Sequence, residues 1–586
     1  MCGLAGIMAA AGRVLDEAIV TRMGAALARR GPDGTGYYHA GNVTMIHGRL
    51  AIIDLETGDQ PLVALNGVAL LANAEIYNYL ELEKEFSPST YTTRSDCEAP
   101  LHAYVRDGLG FADALRGMYA IAIHDPAEER LVLARDPFGI KPLYYAETDA
   151  GFLFASEAQA LLASGLIAPQ VAERPRAELL QLQFTTGADT IFPGIHRVLP
   201  GETLVVRQGR IIERRRRAAL PAGGPRAQSE EEGLRQLDAV LRDSVTVHQR
   251  SDVPYGMFLS GGVDSSVLLA LMAQLNDRPV RAFTAGFGGP VPDERAHARM
   301  LARKVGAEHV EVEVTEKDFW ALLPSIAAAM DDPAADYAVV PTFKLAQVAA
   351  QDLKVILCGE GGDELFAGYG RHRAALRPWW LGGRALRARG TLDGLGVLRD
   401  ERSGWRDGIV AAESVAGGNG RTRLQVAQAV DCADWLPHDL LSKLDRCLMT
   451  NGVEGRTPFL DPAVADFAFR LPDSLKIRGG QGKYLLRRWL ERQMPEAEPF
   501  ARKRGFTVPV ASWIATRGRA LGELVARQPG VEAVCRPGNV AALFESPSRR
   551  AGFAAWVLLF YALWHRHHVL RLPAAGDVLA TLAAPR

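Results

Sequence analysis

Apolar residues fall into two different rhythms along this chain. Up to about Val206 they form short runs of strand length, Val43–His47, Ala120–His124, Leu131–Arg135 and Phe152–Ala155, divided by glycine-rich turns. Helical periodicity is sparser there, as in Glu98–Arg106. Short strands with few helices predict an α+β region of layered antiparallel sheets. After the linker the rhythm becomes strand, helix, strand. Tyr255–Leu259, Val280–Phe287, His309–Val314 and Lys354–Cys358 read as buried strands, and Ser265–Gln274 and Glu294–Val305 have helical period between them. That alternation predicts a parallel, doubly wound α/β sheet with ligands at the carboxyl ends of its strands. Beyond about Trp379 the pattern is helical. The longest apolar stretch, Phe553–Trp564, falls short of the ~20 residues of a membrane-spanning helix and predicts a buried C-terminal helix.

The change of rhythm coincides with a change of composition. Arg214–Glu232 opens with four arginines, continues through Ala-Leu-Pro-Ala-Gly-Gly-Pro and ends in three glutamates. It predicts a linker over 211–232 between domains 2–210 and 233–586. At 586 residues more than one core is expected. A net charge of −1 gives no global field toward nucleic acid or an anionic membrane. The Arg214–Arg217 run has no interleaved aromatic residues and reads as a solvated strand end. The six cysteines are scattered without a CxxC pair, which disfavours zinc or a disulfide framework and fits a reducing, cytoplasmic setting. The Arg/Gly-rich stretch 382–423 predicts no element.

Two short segments carry chemistry. Cys2 follows the initiator methionine, whose removal would give one residue both a thiol and an α-amine able to act as its base. The first strand of the second region runs into Ser260-Gly261-Gly262-Val263-Asp264-Ser265-Ser266 and then a helix. Glycines, hydroxyls and a helix N-terminus suit a phosphate chain, although neither a Walker nor a GxGxxG pattern is present. Asp264 inside an anion loop calls for a cation. Asp363 and Glu364, in Gly359-Glu360-Gly361-Gly362-Asp363-Glu364, follow the fourth strand and lie at the same sheet edge. Carboxylates plus phosphate oxygens suit Mg²⁺.

Several of these motifs together resemble the glutamine-hydrolysing asparagine synthetase family over nearly the whole chain. They are Met1-Cys2-Gly3, Arg30-Gly31-Pro32-Asp33-Gly34, Arg49–Asp54 and Arg135–Tyr145 in the first half. The second half adds Ser260–Ser266, Gly359–Tyr369, Arg456–Asp461 and Lys503-Arg504-Gly505-Phe506. The resemblance implies a class II, N-terminal-nucleophile glutamine amidotransferase domain followed by an ATP-pyrophosphatase synthetase domain. Position by position, it implies that Cys2 is the glutaminase nucleophile. Arg49 would pair with the glutamine α-carboxylate, Asp96 would hold its ammonium, and Glu75 would line its site. Asn73 and the N–H of Ala74 would form the oxyanion hole. Leu259, Ala285, Cys358 and Gly359 match nucleotide-binding positions. Ser260, Gly261, Gly262, Asp264 and Ser265 match the pyrophosphate loop, and Asp264 and Asp363 the Mg²⁺ ligands. Glu360 matches a residue important for forming an acyl-adenylate, and Lys483 one that neutralises developing phosphate charge.

The implied reaction is amidation of aspartate to asparagine with ATP and glutamine, through β-aspartyl-AMP. The alternative is the same chemistry on another carboxylate, such as a peptide, a surface sugar or a secondary metabolite. A sealed route for ammonia between the sites is expected, and the family suggests a homodimer. Three positions depart from the family pattern. Ala74 stands where glycine is usual, which would carry strain only if φ had to be positive. Gly48 replaces a basic residue, and Thr457 a valine. His565, His567 and His568 read as surface histidines near a helix end, and Cys97 as a packed residue.

Overall fold

The computed structural model describes residues 2–13, 16–86, 91–288, 294–377, 385–401, 404–418, 420–502 and 508–585. Met1, the Lys503–Phe506 motif and part of the Arg/Gly-rich stretch lie outside the described residues.

The N-terminal half is built on two six-stranded antiparallel sheets. In the first, Gly3–Ala9 lies between Val43–Arg49 and Gly151–Ala155. In the second, Ala69–Ile76 pairs with Gly117–Asp125, which pairs with Arg130–Arg135. Leu4, Met8, Met45, Leu71, Leu133 and Phe154 fill the space between the sheets. Both faces of the inner strands are buried, because helices cover the outer sides. Glu17–Ala26 and Ala158–Ala163 pack under the first sheet, and Glu98–Asp107 over the second. All four strands expected from the apolar runs are present.

The stretch 211–232, expected as a linker, is ordered at both ends. Arg210–Arg216 is an edge strand paired with Glu202–Arg207, and Glu230–His248 is a helix capped by Ser229. Only 217–229 lies outside strand and helix. The arginines extend the edge strand into solvent, where charge blunts further pairing.

The second half holds a five-stranded parallel sheet, ordered Glu308–Val314, Arg281–Phe287, Tyr255–Phe258, Val355–Leu357, Glu454–Arg456. Strand order reverses between Tyr255–Phe258 and Val355–Leu357, which pair directly. Both candidate loops leave from this switch point, where a crevice opens. The fifth strand was not expected. It has three residues and the polar sequence Glu-Gly-Arg, yet it is fully buried.

The helix Arg549–His568 is buried through nearly its whole length. Among the described residues no helix is long and apolar enough to cross a membrane. Its last turn corrects the reading of the histidines. His565 and His568 are buried, and His568 Nε2 lies 3.1 Å from the Ala327 carbonyl. Desolvation holds His568 down at about 3, so it stays neutral, and the described residues contain no group of three or more His, Cys, Asp or Glu placed to hold a metal ion.

Candidate active sites

Cys2 sits at the mouth of the central strand of the first sheet and is buried. Its N–H donates to Asn73 Oδ1 at 3.1 Å, and its carbonyl accepts from Arg30 Nε at 3.2 Å. The amide nitrogen Nδ2 of Asn73 is buried and makes no hydrogen bond of its own. An idle donor beside a thiol is what an oxyanion site would need. Ala74 follows in the same strand and is not among the residues of positive φ, so its side chain costs no backbone strain there.

Burial alone would push the Cys2 thiol up, yet it stands at about 7. Desolvation is the largest single influence, but the imidazole of His47, the chain N-terminus and the Leu50 N–H together outweigh it. His47 places Nε2 3.2 Å from the Ala72 carbonyl, and its Nδ1 is buried without a hydrogen-bond partner. Sequence reasoning missed His47, although it lies two residues before Arg49 on the same strand.

Arg49 lines this site but is engaged. Its Nη1 lies 2.8 Å from Asp59 Oδ1, and its Nη2 donates to the Asp54 carbonyl. Asp96 is buried and accepts from the Ile76 N–H at 2.7 Å, with desolvation raising it to about 6. Glu75 is committed elsewhere: it forms a 2.7 Å ion pair with Arg456 of the parallel sheet. Cys97 is packed, its thiol 4.0 Å from the Ala74 carbonyl.

The second site is a cavity of about 370 Å³ at the switch point. Leu259, Ser260, Gly261, Gly262, Asp264, Ser265, Ala285, Cys358, Gly359, Glu360, Asp363 and Lys483 all line it. The loop is preorganised: Ser260 Oγ accepts from the Gly262 N–H, and Ser265 Oγ from the Ser260 N–H, each at 3.2 Å. The two loops approach closely because both carry glycine. A Cβ on Gly362 would meet Asp264 Oδ1 at 2.4 Å.

Lys483 bridges the two acidic residues. Its Nζ lies 2.6 Å from Asp363 Oδ1 and pairs with Asp264 Oδ2. Its backbone is left-handed, with φ of 58°, at the start of the helix Tyr484–Gln493. Strain of this kind persists where the surroundings over-determine it. Glu360 is raised by desolvation, with Lys443 opposing the shift. Lys443 lines the cavity and pairs with Asp336 at 2.7 Å. Nothing in the pattern of the sequence had singled out Lys443.

Between the sites the two halves share an interface of buried charge and apolar packing. Leu50, Tyr77, Phe138 and Ile140 join the core of the parallel-sheet domain. A void of about 10 Å³, room for about one water, lies between Tyr144, Arg135, Leu441 and Asp445.

The asparagine synthase family model matches residues 236–566, more than half of the chain. The chain belongs to the asparagine synthase family. A glutamine amidotransferase domain model matches residues 1–216. Glutamine-hydrolysing asparagine synthetase 1 of Bacillus subtilis is 31% identical over 619 aligned residues, covering 96% of each chain. Asparagine synthetase B of Escherichia coli is 28% identical over 85% of this chain and 80% of its own length. Amidase chyE of Penicillium rubens is also 28% identical, over 78% of this chain and 80% of its own. The boundary between the two family matches falls where the edge strand Arg210–Arg216 ends.

Proposed function

We propose that this member of the family transfers ammonia from glutamine to an ATP-activated carboxylate, with aspartate as acceptor and asparagine as product. The observation that carries the reading is that one chain holds both half-sites. Cys2 lies against the idle amide of Asn73, and Lys483 lies between Asp264 and Asp363 in a nucleotide-sized cavity.

With Met1 removed, the α-amine of Cys2 takes the thiol proton and Sγ attacks the glutamine amide carbon. Asn73 Nδ2 and the Ala74 N–H hold the oxyanion. Ammonia leaves, and water releases glutamate from the thioester. Arg49 and Asp96 bind the two charged ends of the substrate, as their opposite charges allow.

In the cavity the acceptor carboxylate attacks the α-phosphorus of ATP, forming acyl-AMP and releasing pyrophosphate. Lys483 and the loop N–H groups stabilise the charge moving onto pyrophosphate. Asp264 and Asp363, both paired with the Lys483 ammonium, are a hard-oxygen pair that would hold Mg²⁺ beside it. Bound there with phosphate oxygens, the ion would supply charge neutralisation. Ammonia then displaces AMP to give the amide, and Glu360, raised above the ordinary carboxylate range, takes the excess proton.

The test is an ATP–pyrophosphate exchange panel over candidate acids. Exchange is expected with aspartate, and exchange only with another acid would reassign the acceptor. Cys2→Ala is expected to lose glutamine-dependent synthesis and keep synthesis from ammonium.

A further inference from the structure

The helix Leu441–Met449 stands between the two sites, and its residues reach both. Lys443 and Asp445 are two positions apart, about 200° around a helix, so they face opposite ways. Lys443 lines the nucleotide cavity and pairs with Asp336. Asp445 turns toward the amidotransferase half. It receives both ends of the Arg30 fork, Nη1 to Oδ2 at 2.7 Å and Nη2 to Oδ1 at 3.0 Å. The remaining nitrogen of that fork, Nε, holds the carbonyl of Cys2. Three hydrogen bonds from one planar group thus join the nucleophile's backbone to the other domain.

The helix itself is fixed to the synthetase site. Arg446 pairs with Asp331 at 2.7 Å while Lys443 pairs with Asp336, so two ion pairs clamp it to the segment 331–336. Arg30 and Asp445 are both buried, so the pair is screened far less than a surface pair. Within the amidotransferase half, Glu157, at 2.9 Å, is the carboxylate that also meets the Arg30 guanidinium.

We propose that Asp445, a residue of the synthetase half, is a positioning residue for the glutaminase nucleophile and acts through Arg30. It aligns the Arg30 fork so that Nε fixes the Cys2 carbonyl, and through it the register of thiol and amine against Asn73. A shift of the helix on filling of the nucleotide cavity would then reach Cys2 through two side chains. The proposal rests on the amidotransferase reading above. A pure domain clamp would weaken both activities together; a positioning role weakens one.

The experiment compares full-length Asp445→Asn, Arg30→Gln and the double variant. Glutamate release from glutamine is measured without acceptor, and AMP formation is measured with ammonium as nitrogen source. Asp445→Asn is expected to lower glutaminase kcat about 10- to 100-fold, the scale of a misplaced reacting group. KM for glutamine should stay within about threefold and ammonium-supported AMP formation within about twofold. The double variant should fall no further than Arg30→Gln alone, since both act through one path. Asp445→Glu keeps the charge but lengthens the arm, and should lose glutaminase at least about threefold; it serves if the neutral variant does not fold. Unchanged glutaminase in either Asp445 variant, a parallel fall in ammonium-supported synthesis, or multiplicative losses in the double variant would each overturn the positioning role. Absence of Cys2-dependent glutaminase in the unaltered chain would instead sink the underlying reading.

Discussion

Arg456 Nη2 lies 2.7 Å from Glu75 Oε2, a buried ion pair that joins the last parallel strand to the amidotransferase sheet. The same guanidinium holds Glu454 at 2.6 Å and the carbonyls of His248 and Arg250. Removing Arg456 therefore strands two buried carboxylates. Arg456→Met is expected to destabilise the chain by about 3–5 kcal/mol, the usual cost of breaking a buried pair from one side. Glu75→Gln should cost less, because Glu454 still pairs with the arginine. Urea denaturation followed by tryptophan fluorescence checks the order; equal losses would contradict it.

Arg49 offers a different kind of pair. Its partner Asp59 has a side chain 80% exposed, so the bond is worth about 0–1 kcal/mol. Asp59 is a carboxylate on the arginine proposed for the glutamine carboxylate, so on that reading substrate would displace it. Asp59→Asn should lower KM for glutamine by up to about fivefold and leave kcat unchanged. A raised KM would mean that Asp59 orients Arg49 rather than competes for it.

Lys483 carries two consequences. Its ammonium sits between Asp264 and Asp363, so Lys483→Met should lower ATP–pyrophosphate exchange about 10²–10³-fold, the range for losing one preorganised charge-stabilising group. Cys2-dependent glutamate release should persist. Because φ at this position is 58°, Lys483→Gly should relieve backbone strain of about 1 kcal/mol while losing the same activity. Both variants lack the ion pairs, so a Gly variant less stable than the Met variant would argue that packing of the side-chain stem, not the backbone, dominates there.

The sequence and the structure agree most where chemistry and local pattern coincide. The loop Ser260–Ser266 was legible because strand, glycines and helix follow each other within a few residues, and every assigned nucleotide position lines one cavity. What stayed hidden depends on contacts far apart in the chain. Arg30 belongs to a visible motif, but its partner Asp445 lies 415 residues away. The strand Glu454–Arg456 carries no apolar run; its burial follows from the ion pairs around Arg456, not from hydropathy. The C-terminal histidines misled for the same reason. Three polar residues at a helix end suggest solvent, while the helix lies inside the core, and the fold of the whole domain overrides the local signal.

His47 supplies the last expectation, because its effect on Cys2 has a direct spectroscopic handle. The thiol stands at about 7 although burial opposes its ionisation, and His47 is the largest of the lowering influences. About half of the thiol is then thiolate at pH 7, and nucleophilicity follows that fraction. The rate of alkylation by iodoacetamide should rise with pH and reach half its plateau near 7. In His47→Asn, desolvation is no longer opposed by the imidazole, so the midpoint should move up, toward or beyond the ordinary thiol value of about 8.5. At pH 7 that lowers the reactive fraction more than tenfold, while the plateau at high pH is retained. Absorbance of the thiolate near 240 nm, titrated against Cys2→Ala as a blank, gives the same midpoint without a reagent. A His47→Asn midpoint that remains near 7 would leave the activation to the N-terminal amine and the Leu50 N–H alone, and would reduce His47 to a strand residue that bonds the Ala72 carbonyl.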